Sequence, residues 1–185
     1  ERIHNMKFIC NKDTILSVVQ TTSKAAAGKS SIQALEGILM ELEGNTLTVT
    51  GYDLDIGIKT SIEVQGIESG NIVISARMAV DIIRKMPSGN ITFECSGNNL
   101  AEITNNLTSF SVSCSSADDY PNVPQVDPNT SFSMPQKLLK SMITQTKFAV
   151  AVVDSKPALM GCKFELENNV LSIAAVDGVR IALRQ

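Results

Sequence analysis

The chain has 185 residues, of which 43% are hydrophobic and 4% aromatic, and its 16 basic and 19 acidic residues leave a net charge of −3. That is enough chain for one ordinary domain and part of a second, with an apolar content suited to a packed core, and no apolar run approaches the roughly 20 residues of a bilayer-spanning helix. One histidine, His4, and four cysteines, Cys10, Cys95, Cys114 and Cys162, with no CxxC pair, argue against a His-based dyad or a zinc site.

The opening "ERIHNMKFIC" lacks the apolar core and small-residue cleavage site of a signal peptide. Met6-Lys7-Phe8 reads as a natural start, so residues 1–5 are expected to be a leader or cloning remnant. "MKFIC" reads as a strand. "NKDTILSVVQTTSKAA" then places Ile15, Val18, Val19 and Ala26 at helical spacing. "GILMELEGNTLTVTGYDLDIGIKTSIEV" reads as three strands, turned at Gly44-Asn45 and broken at Tyr52-Asp53. "GNIVIS" is a further strand, and "ARMAVDIIRKM" a helix burying Ala79, Ile82, Ile83 and Met86. Three more strands follow in 89–114, with turns at Gly97-Asn98-Asn99 and Asn105-Asn106. Residues 6–115 therefore read as strand, helix, three strands, and the same again.

"SSADDYPNVPQVDPNTS" is a Pro-, Asp- and Ser-rich connection. "FSMPQKLLKSMITQTKFAV" opens a second domain with a strand and a helix; Pro135 suits the first helical turn, and Leu138, Leu139, Met142, Ile143 and Thr146 mark the inward face. Paired strands are expected at 159–166 and 169–176, and another begins at Arg180. The reading is a first domain over 6–125 and about half of a second over 126–185.

This second domain repeats the first. "ALEGILMELEGNTLTVTGYD" (34–53) returns as "ALMGCKFELENNVLSIAAVD" (158–177), with nine identities in twenty positions at an offset of 124 residues. The same register aligns Phe8 with Phe132, Ser17 with Ser141, Thr22 with Thr146, Ala25 with Ala149, Ala27 with Ala151 and Ser31 with Ser155. A gapless match through strand and helix is a repeated structural unit.

Charge is partitioned along the chain. The helical windows 12–29, 76–86 and 135–147 hold nine basic residues (Lys12, Lys24, Lys29, Arg77, Arg84, Lys85, Lys137, Lys140 and Lys147) against Asp13 and Asp81, a net +7, while the remainder carries −10. Arg77, Asp81, Arg84 and Lys85 share one helix face, as do Lys137, Lys140, Thr144 and Lys147. Lys and Arg are good helix formers, but Glu is equally good and is absent from these windows. The pattern points to a surface facing a polyanion, with phosphate contacts that are salt-sensitive and independent of sequence. So few aromatics favour a duplex backbone over stacked single-strand bases.

No Walker-type phosphate loop, GxGxxG or GxSxG occurs. Asp53 and Asp55 form a carboxylate pair without an evident third metal ligand, and Asp118-Asp119 reads as a solvated turn. No catalytic residue, metal site or cofactor is assigned. Three readings remain on the residues alone: a DNA-holding scaffold, a protein-interaction scaffold that never touches DNA, and a nucleic-acid-modifying enzyme built on Asp53 and Asp55.

The start "MKF", the "ALEGILMELEGNTLTVTGYDLDIGI" block, "ISARMAVDIIRKMP", "DDYPNVP" and "ALMGCKFELENNVLSIAAVDGVRIAL" together resemble the bacterial sliding clamp family, the beta subunit of DNA polymerase III. The resemblance covers Met6 to the end. It implies an α+β clamp fold of repeated strand–helix–three-strand units, with antiparallel sheets outside and helices on the inner face. It also implies a non-catalytic processivity factor: three similar domains per chain, and two full-length chains closing as a homodimeric ring around double-stranded DNA. The implied partners are the polymerase III catalytic subunit, the clamp loader and repair proteins carrying clamp motifs; the implied location is the cytoplasm, at the nucleoid. Lys29, Arg77 and Arg84 match its basic DNA-contacting positions, to which the charge pattern adds Lys137 and Lys140. Leu159, Val176, Gly178, Val179, Arg180 and Ile181 match the first half of its partner-peptide pocket, with Val179 where relatives commonly have His. With only part of the second domain and none of the third, this chain is expected neither to close the usual ring nor to bind motif peptides tightly.

Overall fold

The computed structural model describes residues 5–97, 99–124, 131–153 and 156–185. The expected leader, with His4, therefore lies almost wholly outside the described residues, as do Asn98 of one expected turn and Ser155 of the repeat. The chain divides into two compact units, Glu1–Gln125 and Val126–Gln185.

Unit 1 opens with strand β1 (Met6–Asn11) and helix α1 (Lys12–Thr22), joined by a side-chain cap. The Asn11 Oδ1 accepts the otherwise unpaired backbone N–H groups of Asp13 at 2.9 Å and Thr14 at 3.4 Å. A 3-10 turn over Ser23–Ala25 follows α1, and another over Gln33–Glu36 precedes β2 (Gly37–Glu43). Then come β3 (Thr46–Tyr52), β4 (Gly57–Glu63), β5 (Gln65–Glu68) and β6 (Gly70–Ser75). Helix α2 (Ala76–Lys85) leads to β7 (Asn90–Cys95), β8 (Leu100–Thr104) and β9 (Ser109–Ser115). The sheet order is β4-β3-β2-β6-β9-β8-β7-β1-β5, with antiparallel pairing throughout. Alternation sets the faces: Ile38, Met40 and Leu42 of β2 are buried, so Glu41 and Glu43 point the other way. Both helices bury their apolar stripes in this same core, Ile15, Val18 and Val19 from α1 and Ala79, Ile82 and Ile83 from α2. At its centre Phe8 and Phe93, opposite each other on β1 and β7, stack with centroids 5.1 Å apart.

A smaller cluster holds the segment after β9. Tyr120 packs with Leu35, Tyr52 and Val73, and its hydroxyl donates to the Thr50 carbonyl at 3.3 Å. The "DDYPNVP" stretch is thus fastened to the sheet through a buried tyrosine, whose burial pushes its hydroxyl pKa up to about 12.

Unit 2 contains helix α3 (Gln136–Thr146), a 3-10 turn over Lys147–Ala149, another over Pro157–Met160, and a sheet of β10 (Lys163–Glu167), β11 (Val170–Val176) and β12 (Ile181–Arg184) in the order β10-β11-β12. At the 124-residue offset, α3 coincides with α1, both 3-10 turns coincide, β11 coincides with β3, and β12 begins where β4 does. Details repeat too. Thr22 bonds back to the Val18 carbonyl at 3.0 Å, and Thr146 to that of Met142 at 2.9 Å. The backbone N–H of Ala27 meets the Leu35 carbonyl at 2.8 Å, and that of Ala151 the Leu159 carbonyl at 3.0 Å.

Four local expectations are corrected. β5 was missed: it is a short, mostly exposed edge strand against β1, without an alternating apolar signal. The strand expected at the start of unit 2 is not formed in residues 131–135. Its counterpart β1 is held by β7 and β5, and unit 2 contains no counterpart of either among its described residues. Pro135 is the N-cap, with extended ψ of 125°, and the helix begins at Gln136. Leu159 sits in a 3-10 turn rather than a strand, since β10 starts at Lys163.

Candidate nucleic-acid interface

Helix α2 carries the clearest arrangement. Ser75 caps it, its Oγ accepting from the Met78 N–H at 3.4 Å, and the apolar stripe fixes its rotation against the core. That rotation leaves Arg77, Arg84 and Lys85 exposed, with the Arg77 side chain 91% accessible. Asp81 lies between the arginines, 4.0 Å from Arg77 Nε and 3.7 Å from Arg84 Nη1. Such exposed pairs are weak and yield readily to a phosphate. Arg84 and Lys85 also stand in the last turn, where the helix dipole favours cations, so part of their placement serves the helix itself.

The α1 contribution differs from the charge-window expectation. The helix ends at Thr22, leaving Lys24 in the 3-10 turn and Lys29 in the bend beyond, both exposed and without an ion-pair partner among the described residues. Lys12 does not belong to the exposed basic set: its ammonium pairs with Asp13 at 3.3 Å and its side chain is only 13% accessible. A cleft of about 1350 Å³ brings Arg77 and Asp81 to the same opening as Gly28, Ser31 and Glu36. Glu36 accepts from the Ser30 N–H at 3.2 Å and so pins the bend that presents Lys29. The carboxylates make the cleft floor mixed in charge; the basic excess lies on the exposed face of α2, where Arg77, Arg84 and Lys85 outnumber Asp81, and at Lys24 and Lys29. On the opposite face of the sheet stand Glu41, Glu43, Glu94 and Glu102, joined by Lys7, which pairs with Glu94 at 2.7 Å, and Lys59, 3.8 Å from Glu41. Within unit 1 the charge partition read from sequence is thus a partition between two faces.

In unit 2, Lys137 and Lys140 on α3 and Lys147 just after it are exposed, opposite buried Met142 and Thr146. Of the expected inward face, Leu139 and Ile143 are half-buried and Leu138 is exposed.

The expected peptide-pocket residues gather around the β11–β12 turn. Val176 ends β11, Gly178 takes φ +85°, Val179 is 95% exposed, and Ile181 opens β12 with its side chain exposed. Asp177 organises the turn: its Oδ1 accepts from the N–H groups of Val179 at 3.1 Å and Arg180 at 3.0 Å, and its Oδ2 receives Arg180 Nε at 2.6 Å. The backbone N–H of Arg180, then its guanidinium, hold the Asp177 carboxyl below the usual carboxylate range. The Arg180 guanidinium also lies 5.9 Å from the Phe148 ring centre. Leu159 is half-buried in the Pro157–Met160 turn.

The same turn recurs in unit 1, where Asp53 Oδ1 accepts from the N–H groups of Asp55 at 3.0 Å and Ile56 at 2.7 Å. The Asp53–Asp55 pair is therefore a turn-former in this structure. Among the described residues no cluster of three or more metal-ligating side chains occurs, and no helix is long and apolar enough to cross a membrane.

Comparison with known proteins agrees with the fold. The N-terminal domain of the DNA polymerase III beta subunit matches residues 6–124, and the central domain of that subunit matches residues 133–185. The beta sliding clamps of Halalkalibacterium halodurans and Bacillus subtilis are 32% and 33% identical to the chain, each over 188 residues, covering 97% of it and 50% of their own length. Among solved structures, the Bacillus subtilis sliding clamp superposes with a TM-score of 0.90 at 32% identity, covering 98% of this chain and 50% of its own. The Pseudomonas aeruginosa sliding clamp bound to griselimycin gives 0.90 at 26% identity, covering 97% and 49%. The chain spans about half the length of the curated relatives it matches. Unit 1, unit 2 and their shared repeat are the clamp fold, and the chain belongs to the DNA polymerase III beta subunit family of sliding clamps.

Proposed function

We propose that the chain is part of a non-catalytic DNA polymerase processivity clamp acting in DNA replication, which holds duplex DNA through its phosphates without reading sequence. The observation that carries this is the helix face of unit 1. There Arg77, Arg84, Lys85, Lys24 and Lys29 are exposed while the acids of the strands face the other way. Lys137 and Lys140 would extend the phosphate contacts from unit 2. Long basic side chains on a rigid helix make diffuse phosphate contacts, and the mobility of their heads suits a partner that must slide. In the whole protein the function is closure of a homodimeric ring around the duplex and tethering of the polymerase catalytic subunit, the clamp loader and repair proteins, as a cytoplasmic, nucleoid-associated clamp.

For the partner-peptide site we propose that Leu159, Val176, Gly178, Val179, Arg180 and Ile181 form one wall. Exposed Val179 and Ile181 offer apolar surface, and Arg180, tied to Asp177 through Nε alone, keeps its Nη groups for a peptide carbonyl or carboxylate. Two unrelated duplexes and a single strand titrated by fluorescence anisotropy test the DNA reading. Equal affinity for both duplexes is expected, lost in Lys29→Glu/Arg77→Glu/Arg84→Glu. Sequence preference, or binding unchanged in that variant, would count against it.

A further inference from the structure

The repeat carries the peptide wall of unit 2 back into unit 1. At the 124-residue offset Leu159, Val176 and Ile181 fall on Leu35, Tyr52 and Gly57. Their settings correspond. Leu35 and Leu159 sit in matching 3-10 turns, Tyr52 and Val176 end β3 and β11, and Gly57 and Ile181 open β4 and β12. Between them run the Asp53 and Asp177 turns, each carboxylate accepting two backbone N–H groups. In unit 1 the three residues form a cradle with an occupant. Tyr120 is buried against Leu35 and Tyr52, and Val123 packs on the same cluster. Gly57 admits Val123: a Cβ built on the glycine would stand 2.8 Å from Val123 Cγ1.

The segment Tyr120–Pro124 is held as a docked peptide is held, by side chains. Tyr120 is buried and Val123 half-buried, while Asn122 between them is exposed. The segment joins no strand ladder, and among the described residues Pro121–Pro124 makes no backbone hydrogen bond to the sheet. Each anchor precedes a proline, Pro121 or Pro124, which favours extended backbone and lowers the entropy lost on docking. The polar fit is incomplete. The Tyr120 hydroxyl donates to the Thr50 carbonyl at 3.3 Å, longer than an ordinary O–H···O bond. Thr50 Oγ1, beneath the same segment, is buried without a hydrogen-bond partner. An unpaired buried hydroxyl disfavours the covered state, so the segment rests on its two apolar anchors and can exchange.

We infer that this cradle is a second peptide-binding site, which the chain's own Tyr120–Val123 fills as a tethered ligand. In exchange it takes an extended peptide presenting an aromatic and an aliphatic side chain three positions apart, as Tyr120 and Val123 are. The tether sets the terms. It holds the segment at an effective concentration on the order of millimolar, so only a partner of higher affinity or local concentration displaces it. Such a partner also unfastens the segment that leads out of unit 1. The correspondence to a partner-binding wall rests on the peptide reading of unit 2, whereas the cradle and its occupant belong to unit 1 alone.

A fluorescein-labelled peptide of the chain's own Ser116–Pro124 sequence, titrated by polarisation, tests it. Tyr120→Ala/Val123→Ala, which empties the cradle, is expected to bind the peptide at least about tenfold more tightly than wild type, because a site filled in cis about nine-tenths of the time weakens a competitor by that factor. Adding Gly57→Val to that variant should abolish binding, as should alanine at both anchors of the peptide. Adding Val179→Asp instead should leave binding intact, which separates this test from the fate of the unit 2 wall. No binding to the folded double variant, equal binding by wild type and double variant, or loss of binding with Val179→Asp overturns the inference, the last by placing the peptide on unit 2. Where the double variant lacks the unit 1 urea transition, wild type with unlabelled peptide in millimolar excess decides. Faster hydrogen exchange at the Tyr120 amide is then expected, and unchanged exchange overturns the inference.

Discussion

Gly51, in β3, lies so close to helix α1 that a Cβ built on it would stand 2.0 Å from the Thr22 carbonyl oxygen and 2.8 Å from the carbonyl carbon. Ordinary contact begins at 3.4 Å, so Gly51→Ala requires about 1.4 Å of separation between backbone elements, with no flexible side chain to yield. The Thr22 end of α1 is further fixed by its buried hydroxyl, bonded to the Val18 carbonyl at 3.0 Å. Overpacking of this kind costs about 1–3 kcal/mol. Unit 2 supplies the control: Ala175 holds the equivalent position and is buried, so there helix and strand stand far enough apart for a methyl. Urea unfolding should therefore show the unit 1 transition of Gly51→Ala shifted down by ~2 kcal/mol, and Ala175→Gly should cost unit 2 only about 0.5–1 kcal/mol. A Gly51→Ala chain unfolding at the wild-type midpoint would refute the close-approach argument.

Leu54 has φ of 81°, where the matching turn of unit 2 has Gly178 at φ +85°. Left-handed backbone costs a leucine about 1–2 kcal/mol, and glycine entropy returns part of that, so Leu54→Gly should stabilise unit 1 by roughly 0.5–1 kcal/mol in the same unfolding assay; destabilisation would contradict it. Burial raises the Cys10 thiol from 9.0 to about 12. Burial, with the neighbouring Cys95 sulfur 3.2 Å away, raises Cys114 to about 12 as well. Folding thus holds protons that the unfolded chain releases above about pH 9, so this stability is present below that pH and is lost as pH climbs toward 12, at about 1.4 kcal/mol per group per pH unit. Unfolding midpoints at pH 8 and 10 should show the fall, and Cys10→Ala should make it shallower by about one proton; a flat profile would argue against these buried thiols.

The repeat was the most legible feature of the sequence because it survives as identical chemistry at fixed spacing. Thr22 and Thr146, Asp53 and Asp177 each make the same local bonds in both units. The α2 interface was legible for a related reason: a steep apolar stripe of Ala79, Ile82 and Ile83 fixes which side Arg77 and Arg84 occupy. What was misread depended on partners remote in sequence. β5 exists because β1 offers it an edge, and residues 131–135 share the β1 pattern without its neighbours. Lys12 counts as a basic helix residue in any charge tally, yet its ammonium folds against Asp13 beside the Asn11 cap. The Asp177–Arg180 lock was invisible because the turn that brings residues three apart into contact depends on φ at Gly178.

The central claim is that the exposed arginines of α2 meet phosphate. The salt dependence of duplex binding by wild type and Arg77→Ala/Arg84→Ala, read by anisotropy on one labelled duplex, tests it most directly. Log affinity should fall linearly with log salt, and the double variant should flatten the slope by about 1.8, or ~0.9 for each lost phosphate contact. Equal slopes for the two proteins would contradict the account.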